Sequence, residues 1–184
     1  MTRQNNTRTI VLAALLAAFT TVATMIIKIP TPTMGYIHLG DGLVLLCGIL
    51  LGPGLGAAAA GIGSMFADIF SGYAAWAPAT LIIKAATAFL GGLVFHKLSR
   101  TASATPVRTI LAGIPAEAVM VLGYYVYEVG LAMAGGSAFA AAAAATAAGV
   151  PFNIVQGAAG VIVSAVLLPV LSRASGELDA RIRA

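Results

Sequence analysis

The chain has 184 residues, of which 60% are hydrophobic and only 9% are charged, with a formal net charge of +4. A soluble globular domain carries about 25% charged residues to keep its surface hydrated, so this composition excludes an ordinary soluble protein. The length allows six membrane-spanning helices of about 20 residues each, with no sizeable soluble domain. The single cysteine, Cys47, excludes a disulfide framework and a cysteine-based metal site.

Six apolar segments alternate with short polar connections, and they predict one all-α transmembrane domain over residues 1–184, an integral membrane bundle of six helices. The predicted spans, in chain order, are residues 9–27, 42–51, 55–70, 79–95, 108–134 and 150–171. Gly52-Pro53-Gly54 predicts a tight turn, and the prolines and glycines of residues 30–41 predict an ordered loop rather than a helix. The alanine-rich segment 138–149 favours a helix, and the sequence leaves open whether it spans, re-enters the membrane or lies outside.

The basic residues lie mainly on one side of this predicted topology. Lys28 lies on the opposite side and Lys84 lies within the fourth span. The other lysines and arginines precede span one, connect spans four and five, or follow span six: Arg3, Arg8, Lys97, Arg100, Arg108, Arg173, Arg181 and Arg183. Because basic residues concentrate on the cytoplasmic side of membrane proteins, both termini are predicted to be cytoplasmic.

Polar side chains inside a bilayer are costly, and this sequence gathers nearly all of them in the outer half of the predicted bundle. A channel or proton relay needs polar groups through the whole depth, whereas a one-sided cluster predicts a pocket that opens to the outside. Carboxylates, amides, a lysine and aromatic rings suit a small polar ligand that contains a ring. The predicted ligand-binding residues are Lys84, Gln156, Asn153, Glu128, Tyr124, Trp76, Asp68 and His38.

Several polar residues of this region have a purely structural alternative. Lys84 would also neutralise Asp68 or Glu128 in an ion pair, and Trp76 would equally serve as an interfacial anchor. Asp41 is more readily interpreted as the N-cap of the second span than as a ligand contact.

Two further residues are ambiguous in the same way. Asn153 suits a cap after Pro151, which leaves Gln156, one turn deeper, as the better ligand candidate. Glu117, near the cytoplasmic side of span five, suits helix packing or assembly.

The first span carries a strip of small residues, Ala13, Ala14, Ala17 and Ala18. Residues four apart share a helix face, so the pairs 13/17 and 14/18 let another helix approach closely. We expect this strip to bind a partner subunit. A similar strip in span three, Gly56, Ala60 and Ser64, is expected to pack within the chain.

A block of motifs between Gly40 and Gly92 carries a family resemblance. It consists of Gly40-Asp41-Gly42, Leu51-Gly52-Pro53, Gly61-Ile62-Gly63-Ser64, Asp68, Trp76-Ala77-Pro78 and Leu81-Ile82-Ile83-Lys84. This block resembles the substrate-binding (S) components of energy-coupling factor (ECF) transporters. Within them it is most similar to the riboflavin-transporter-type branch, which includes subunits for pyridoxine, hydroxymethylpyrimidine and pantothenate. Spans five and six agree more loosely, with Asn153 and Gln156 in a matching place.

The resemblance implies six helices, a pocket near the outer face under loops one, three and five, and location in the cell membrane of a prokaryote. It also implies docking through Ala13–Ala18 on a transmembrane coupling protein that two cytoplasmic ATPases power. The implied function is high-affinity uptake of a water-soluble vitamin or precursor, with the loaded subunit toppling as it docks. The chain has no Gly-x-x-x-x-Gly-Lys-[Ser/Thr] phosphate loop, so we expect ATP use by the partners and no cofactor on this chain. We expect no nucleic-acid partner, because the basic residues cluster at the ends of the apolar segments and match a membrane topology.

Two other function classes remain open: a standalone facilitator or channel, and an intramembrane enzyme. Ser64 lies in the middle of span three, but neither histidine is well placed to activate it, since His38 is on an outer loop and His96 is at the cytoplasmic end of span four. Five tyrosines and Trp76 favour a pyridoxine-like or pyrimidine-like ring, whereas Lys84 would suit a carboxylate such as that of pantothenate. The residues do not decide which vitamin binds or whether the coupling module is shared.

Overall fold

The computed structural model describes residues 3–33, 35–98 and 105–174. The helices in this part of the chain are α1 (Arg3–Ile26), α2 (Asp41–Leu51), α3 (Pro53–Phe70), α4 (Ala77–Leu98), α5 (Thr105–Ala134), α6 (Phe139–Thr146) and α7 (Val150–Ala174). A short 3-10 turn, Ala147–Gly149, joins α6 to α7. The predicted all-α bundle is confirmed, with the addition of one small β-hairpin.

Helix α2 is the buried centre of the bundle. It contacts α1, α3, α4 and α7, and nearly all of its side chains are buried. Its eleven residues rise about 17 Å, roughly half of a hydrocarbon core of about 30 Å. In contrast, α1, α3, α4, α5 and the continuous α6–α7 segment are each long and apolar enough to cross a membrane.

The predicted loop between the first two spans contains the hairpin. Strand β1 (Lys28–Pro30) pairs antiparallel with β2 (Tyr36–His38), and the Thr31 amide donates to the Gly35 carbonyl oxygen, 2.9 Å away, within the connecting turn. Three-residue strands are too short to show the two-residue alternation by which a strand is recognised in sequence. The hairpin was therefore not predicted.

The alanine-rich segment forms α6, as its helix propensity predicts. Eight residues rise about 12 Å, so α6 is too short to form a span of its own. It packs on α5, where the Tyr125 hydroxyl donates to the Ala143 carbonyl oxygen, 3.2 Å away.

Glycines allow the closest helix crossings and the tightest turn. A β-carbon on Gly48 of α2 would overlap the Ala88 carbonyl of α4, and one on Gly92 would overlap Gly48 itself. The backbones of α2 and α4 are therefore in direct contact. Between α2 and α3, Gly52 has a φ of +79° and Pro53 opens the next helix, which is the tight turn expected at this position.

The two ends of the bundle differ in charge. At one end, called here the basic end, His96 Nε2 lies 3.0 Å from the Ile49 carbonyl oxygen and the Arg108 guanidinium lies over the Phe95 ring. Arg8, Lys97 and Arg173 belong to helix ends on this side; Arg100, Arg181 and Arg183 lie outside the described residues. The other end carries the β-hairpin with Lys28 and is called the hairpin end.

Candidate functional site

A small cavity lies at the hairpin end between the hairpin, α3, α4, α5 and α7. Every predicted ligand-binding residue except Lys84 lines it. Among the described residues, the lining is Thr31, Gly35, Tyr36, His38, Asp68, Trp76, Thr80, Tyr124, Glu128, Asn153 and Gln156. Its volume is about 20 Å³, room for little more than one water molecule. We call it the inner cavity.

A larger space, the outer cleft, adjoins it between the hairpin turn, α5 and α6. The cleft measures about 370 Å³, within the range of about 300–1,000 Å³ typical of small-molecule sites. It is lined by Pro32, Thr33, Trp76, Glu128, Leu131, Ala132, Ala145 and Thr146. Because Trp76 and Glu128 line both spaces, they form the boundary between a roomy, mostly apolar cleft and a tight polar cavity.

Lys84 forms a buried ion pair instead of lining the cavity. Its ammonium group donates to the Asp41 carboxylate, and both side chains are 0% exposed. The predicted pairing of Lys84 with Asp68 or Glu128 is therefore wrong. The predicted N-cap role of Asp41 is also wrong, since Gly40 is the N-cap residue and no side chain caps α2. The close crossing of α2 and α4 brings the pair together. Because Lys84 and Asp41 are 43 positions apart in the chain, the sequence pattern does not indicate this contact.

Gln156 joins this ion pair to the hairpin. Its side-chain oxygen accepts a hydrogen bond from the His38 backbone amide, 2.9 Å away, and its side-chain nitrogen donates to Asp41 Oδ2, 2.7 Å away. The amide predicted to bind ligand is thus engaged at both ends within the protein. Gln156 forms part of the cavity floor and ties β2 to the start of α2.

His38 is held as a neutral imidazole at this floor. Its Nδ1 accepts the Gly40 backbone N–H, 3.0 Å away, so the ring proton is on Nε2. Burial lowers the pKa of His38 to about 4, against the smaller opposing effect of Asp41. At neutral pH the ring therefore supplies one N–H donor and no charge.

The two carboxylates of the cavity each use one oxygen within the protein. Asp68 Oδ1 accepts the Tyr36 hydroxyl, 2.7 Å away, and Glu128 Oε1 accepts the Thr33 hydroxyl, 3.0 Å away. Within the described parts of the chain, Asp68 Oδ2, Glu128 Oε2 and the Trp76 indole N–H are buried without a hydrogen-bond partner. These three atoms are available to a ligand, as is the His38 ring N–H.

Aromatic side chains pack together at the cavity, where Tyr36 and Trp76 belong to the lining. The Tyr73 ring lies 4.5 Å from that of Tyr36 and 6.0 Å from that of Trp76, measured between centroids. Deeper in the cavity, the Tyr124 hydroxyl lies 3.0 Å from that of Thr80. Tyr36 and Thr80 were missed in sequence because each lies at the edge of a longer apolar or loop segment, where depth cannot be judged.

The alanine strip of α1 is divided between two surroundings. Ala13 is buried and Ala17 is half-buried, and a β-carbon on Gly63 of α3 would overlap the Ala17 backbone. Ala14 and Ala18 are exposed. The part of the predicted docking strip that another subunit can reach is therefore Ala14 and Ala18, while Ala13 and Ala17 pack inside the chain.

Serine-based catalysis and metal binding find little support in the geometry of the described residues. The Ser64 hydroxyl is buried and has no hydrogen-bond partner, histidine included, among the residues described. No group of three His, Cys, Asp or Glu side chains in residues 3–33, 35–98 and 105–174 is close enough to hold a metal ion.

Comparison with known proteins gives three similarities. The model of the family "ECF-type riboflavin transporter, S component" matches residues 4–173. An uncharacterized protein from Pyrococcus woesei is 41% identical over 105 residues, which are 56% of this chain and 67% of that protein. A solved structure of the S component of a bacterial ECF transporter has the same fold, with a TM-score of 0.70, 22% identity, and coverage of 91% of this chain and 97% of that chain.

Proposed function

The chain belongs to the family of ECF-type riboflavin transporter S components, and from that premise we propose that it binds a water-soluble vitamin or vitamin precursor with high affinity for uptake. Its family makes it the substrate-binding subunit of an ECF transporter and not an enzyme. The step proposed here is the binding of such a ligand at the hairpin end.

The observation that carries the proposal is the pairing of the two spaces at the hairpin end. The outer cleft is large enough for a ring, and the inner cavity below it presents hydrogen-bonding atoms from five separate elements. Small-molecule sites combine apolar walls with a few placed polar groups in this way. A pore would instead need polar groups towards the basic end as well.

The ligand is expected to be a pyridoxine-like or pyrimidine-like ring. Tyr36, Trp76 and Tyr124 line the inner cavity and provide aromatic faces for such a ring. The argument for a carboxylate-bearing ligand such as pantothenate depended on Lys84, whose ammonium group is engaged by Asp41.

We propose that the hairpin end faces the outside of a prokaryotic cell and that both termini are cytoplasmic. The basic end carries Arg8, Lys97, Arg108 and Arg173 among the described residues, as the positive-inside rule expects of a cytoplasmic face. A ligand would then enter from the medium and leave only after the loaded subunit reorients.

The proposed partners are a transmembrane coupling protein and two cytoplasmic ATPases, with Ala14 and Ala18 as the contact surface on α1. These two alanines are exposed, and small residues four apart allow close helix approach. Substituting either by Trp is expected to abolish co-purification with the coupling protein while ligand binding is kept. The same change at Val166, an exposed position of α7, is the control; equal loss in all three variants would argue against this surface.

The decisive experiment is purification without added ligand, followed by mass spectrometry of extracted small molecules and calorimetry on a vitamin panel. We expect one vitamin or precursor to bind more tightly than micromolar. Trp76 is the only tryptophan and lines both spaces, so its fluorescence should change on binding. Failure of every compound would overturn the proposal, and uptake that persists without coupling protein and ATPases would favour a facilitator.

A further inference from the structure

The inner cavity has a negative formal charge. Asp68 and Glu128 both line it, and their side chains are only 4% and 7% exposed. Among the described residues that line the inner cavity and the outer cleft there is no lysine or arginine. His38 is neutral at pH 7, since its pKa lies near 4. Two carboxylates therefore face the ligand space without a cation of the protein beside them.

The two lysines nearest to this space do not line it. Lys84 lies below the cavity and is paired with Asp41. Lys28 is exposed at the rim, where its ammonium group lies 5.6 Å from the centroid of the Tyr36 ring. A buried carboxylate without a counter-ion is costly, so a positively charged ligand group would relieve a cost that the apo protein carries.

The unpaired atoms are oriented by their own partners. Thr33 holds one oxygen of Glu128 and Tyr36 holds one oxygen of Asp68, which leaves Glu128 Oε2 and Asp68 Oδ2 as acceptors. Nearly all buried polar atoms in proteins are hydrogen-bonded, so two buried acceptors at one cavity indicate a ligand with donors. The Trp76 N–H, also without a partner in the described chain, is a donor for an acceptor atom of the same ligand.

The aromatic lining favours a cation as well. Faces of Tyr and Trp attract positive charge at distances within about 6 Å of the ring centroid. In this protein Lys28 and Lys84 already lie 5.6 Å and 5.2 Å from the rings of Tyr36 and Tyr124. The same rings line the inner cavity.

We propose, building on the function proposed above, that the ligand is an aromatic ring with a cationic or hydrogen-bond-donating edge. This edge is either a quaternary or protonated nitrogen or an amino-substituted, amidine-like group. Glu128 and Asp68 bind it. Hydrogen bonds between charged groups and carboxylates are stronger than those between neutral groups. The pocket therefore selects against neutral flavin-like rings and against anions.

The test compares ligands of different charge on the full-length protein in detergent micelles. Calorimetry is run with thiamine, which carries a permanent thiazolium charge, with 4-amino-5-hydroxymethyl-2-methylpyrimidine, and with riboflavin, pyridoxine and pantothenate. We expect thiamine, the aminopyrimidine or pyridoxine, whose ring nitrogen is protonated in its zwitterion, to bind at least tenfold more tightly than riboflavin and pantothenate. Glu128→Gln and Asp68→Asn are each expected to weaken that binding at least tenfold.

Glu117→Gln is the matched control. Glu117 is a carboxylic side chain on the same helix as Glu128, is 5% exposed, and lines neither space, so its substitution changes a buried carboxyl group without touching the ligand. We expect less than a threefold change in affinity, with thermal unfolding of every variant recorded to exclude misfolding.

Three results would count against the inference. Tightest binding of riboflavin or pantothenate would overturn it while leaving the proposed function intact. An equal loss of affinity in the Glu117, Glu128 and Asp68 variants would also overturn it, because the effect would then be general. Failure of all five compounds to bind more tightly than micromolar would count against the proposed function itself.

Discussion

Lys84 of α4 and Asp41 at the start of α2 form an ion pair that is completely shielded from solvent. Gln156 of α7 donates to the second oxygen of the same carboxylate, so the Asp41 carboxylate of α2 is bound by side chains of both α4 and α7. This network lies directly beneath the inner cavity, and through Gln156 it also holds the hairpin that closes the cavity.

The first prediction is that Lys84 stabilises the fold and does not contact the ligand. Lys84→Met leaves Asp41 as an unpaired buried carboxylate, a change that costs about 3–5 kcal/mol in comparable buried pairs. We expect a large drop in the midpoint of thermal unfolding in detergent. Adding Asp41→Asn should restore part of it, because the stranded charge is removed.

Lys97→Met is the control for this prediction, since Lys97 is exposed at the basic end and exposed charges contribute about 0–1 kcal/mol. If Lys84→Met unfolded at the wild-type temperature and weakened only ligand binding, the structural role assigned to Lys84 would be wrong.

The second prediction concerns the link between hairpin and bundle. Gln156→Ala removes the acceptor of the His38 amide and the donor to Asp41, so the hairpin should open more often. Hydrogen exchange followed by mass spectrometry should show exchange at least tenfold faster in the two hairpin strands, residues 28–30 and 36–38. Ile154→Ala, at an exposed position on the same helix, should leave the exchange unchanged; equal protection in both variants would contradict the link.

The third prediction is a pH dependence that arises from His38. Its pKa is about 4 in the folded protein and 6.5 ordinarily, so between these values the unfolded chain binds the proton more readily. The contribution of His38 to the free energy of unfolding should therefore be fully present above pH 6.5. It should fall by up to about 3 kcal/mol as the pH decreases to about 4. The groups facing His38 are Asp41, Lys84 and the Tyr36 ring.

The measurement for His38 is thermal unfolding from pH 7.5 to 4 of the wild type and of His38→Asn, whose side-chain oxygen can still accept the Gly40 N–H. Other titrations are common to both proteins. The difference between their unfolding midpoints should change across this range, and a constant difference would refute the assignment.

The fourth prediction concerns orientation in the membrane. Ser137 is exposed in the connection between α5 and α6, Lys97 is exposed at the basic end, and the native Cys47 is 0% exposed. In intact cells, a membrane-impermeant maleimide should label Ser137→Cys, and it should label Lys97→Cys only after permeabilisation. Cys47 should contribute no background. The reverse labelling pattern would invert the proposed topology.

Composition and the order of residues by themselves determined much of this protein. Low charge and repeated apolar segments require helices in a membrane, because a buried backbone there must satisfy its hydrogen bonds within the helix. The end of the bundle that holds Asp68, Trp76, Glu128 and Asn153 also follows from sequence, since each residue's depth depends only on its distance from the end of its span. These residues do line one cavity.

Only the tertiary structure decided which side chains bind each other. The rotation of each helix about its axis and the backbone contact between α2 and α4 place Lys84 on Asp41, away from the cavity. The same packing places both ends of the Gln156 amide in hydrogen bonds within the protein. The contact of α1 with α3 at Gly63 leaves Ala14 and Ala18 exposed, while Ala13 is buried. The orientation of each helix about its own axis depends on contacts between residues far apart in the chain, and local sequence patterns do not predict such contacts.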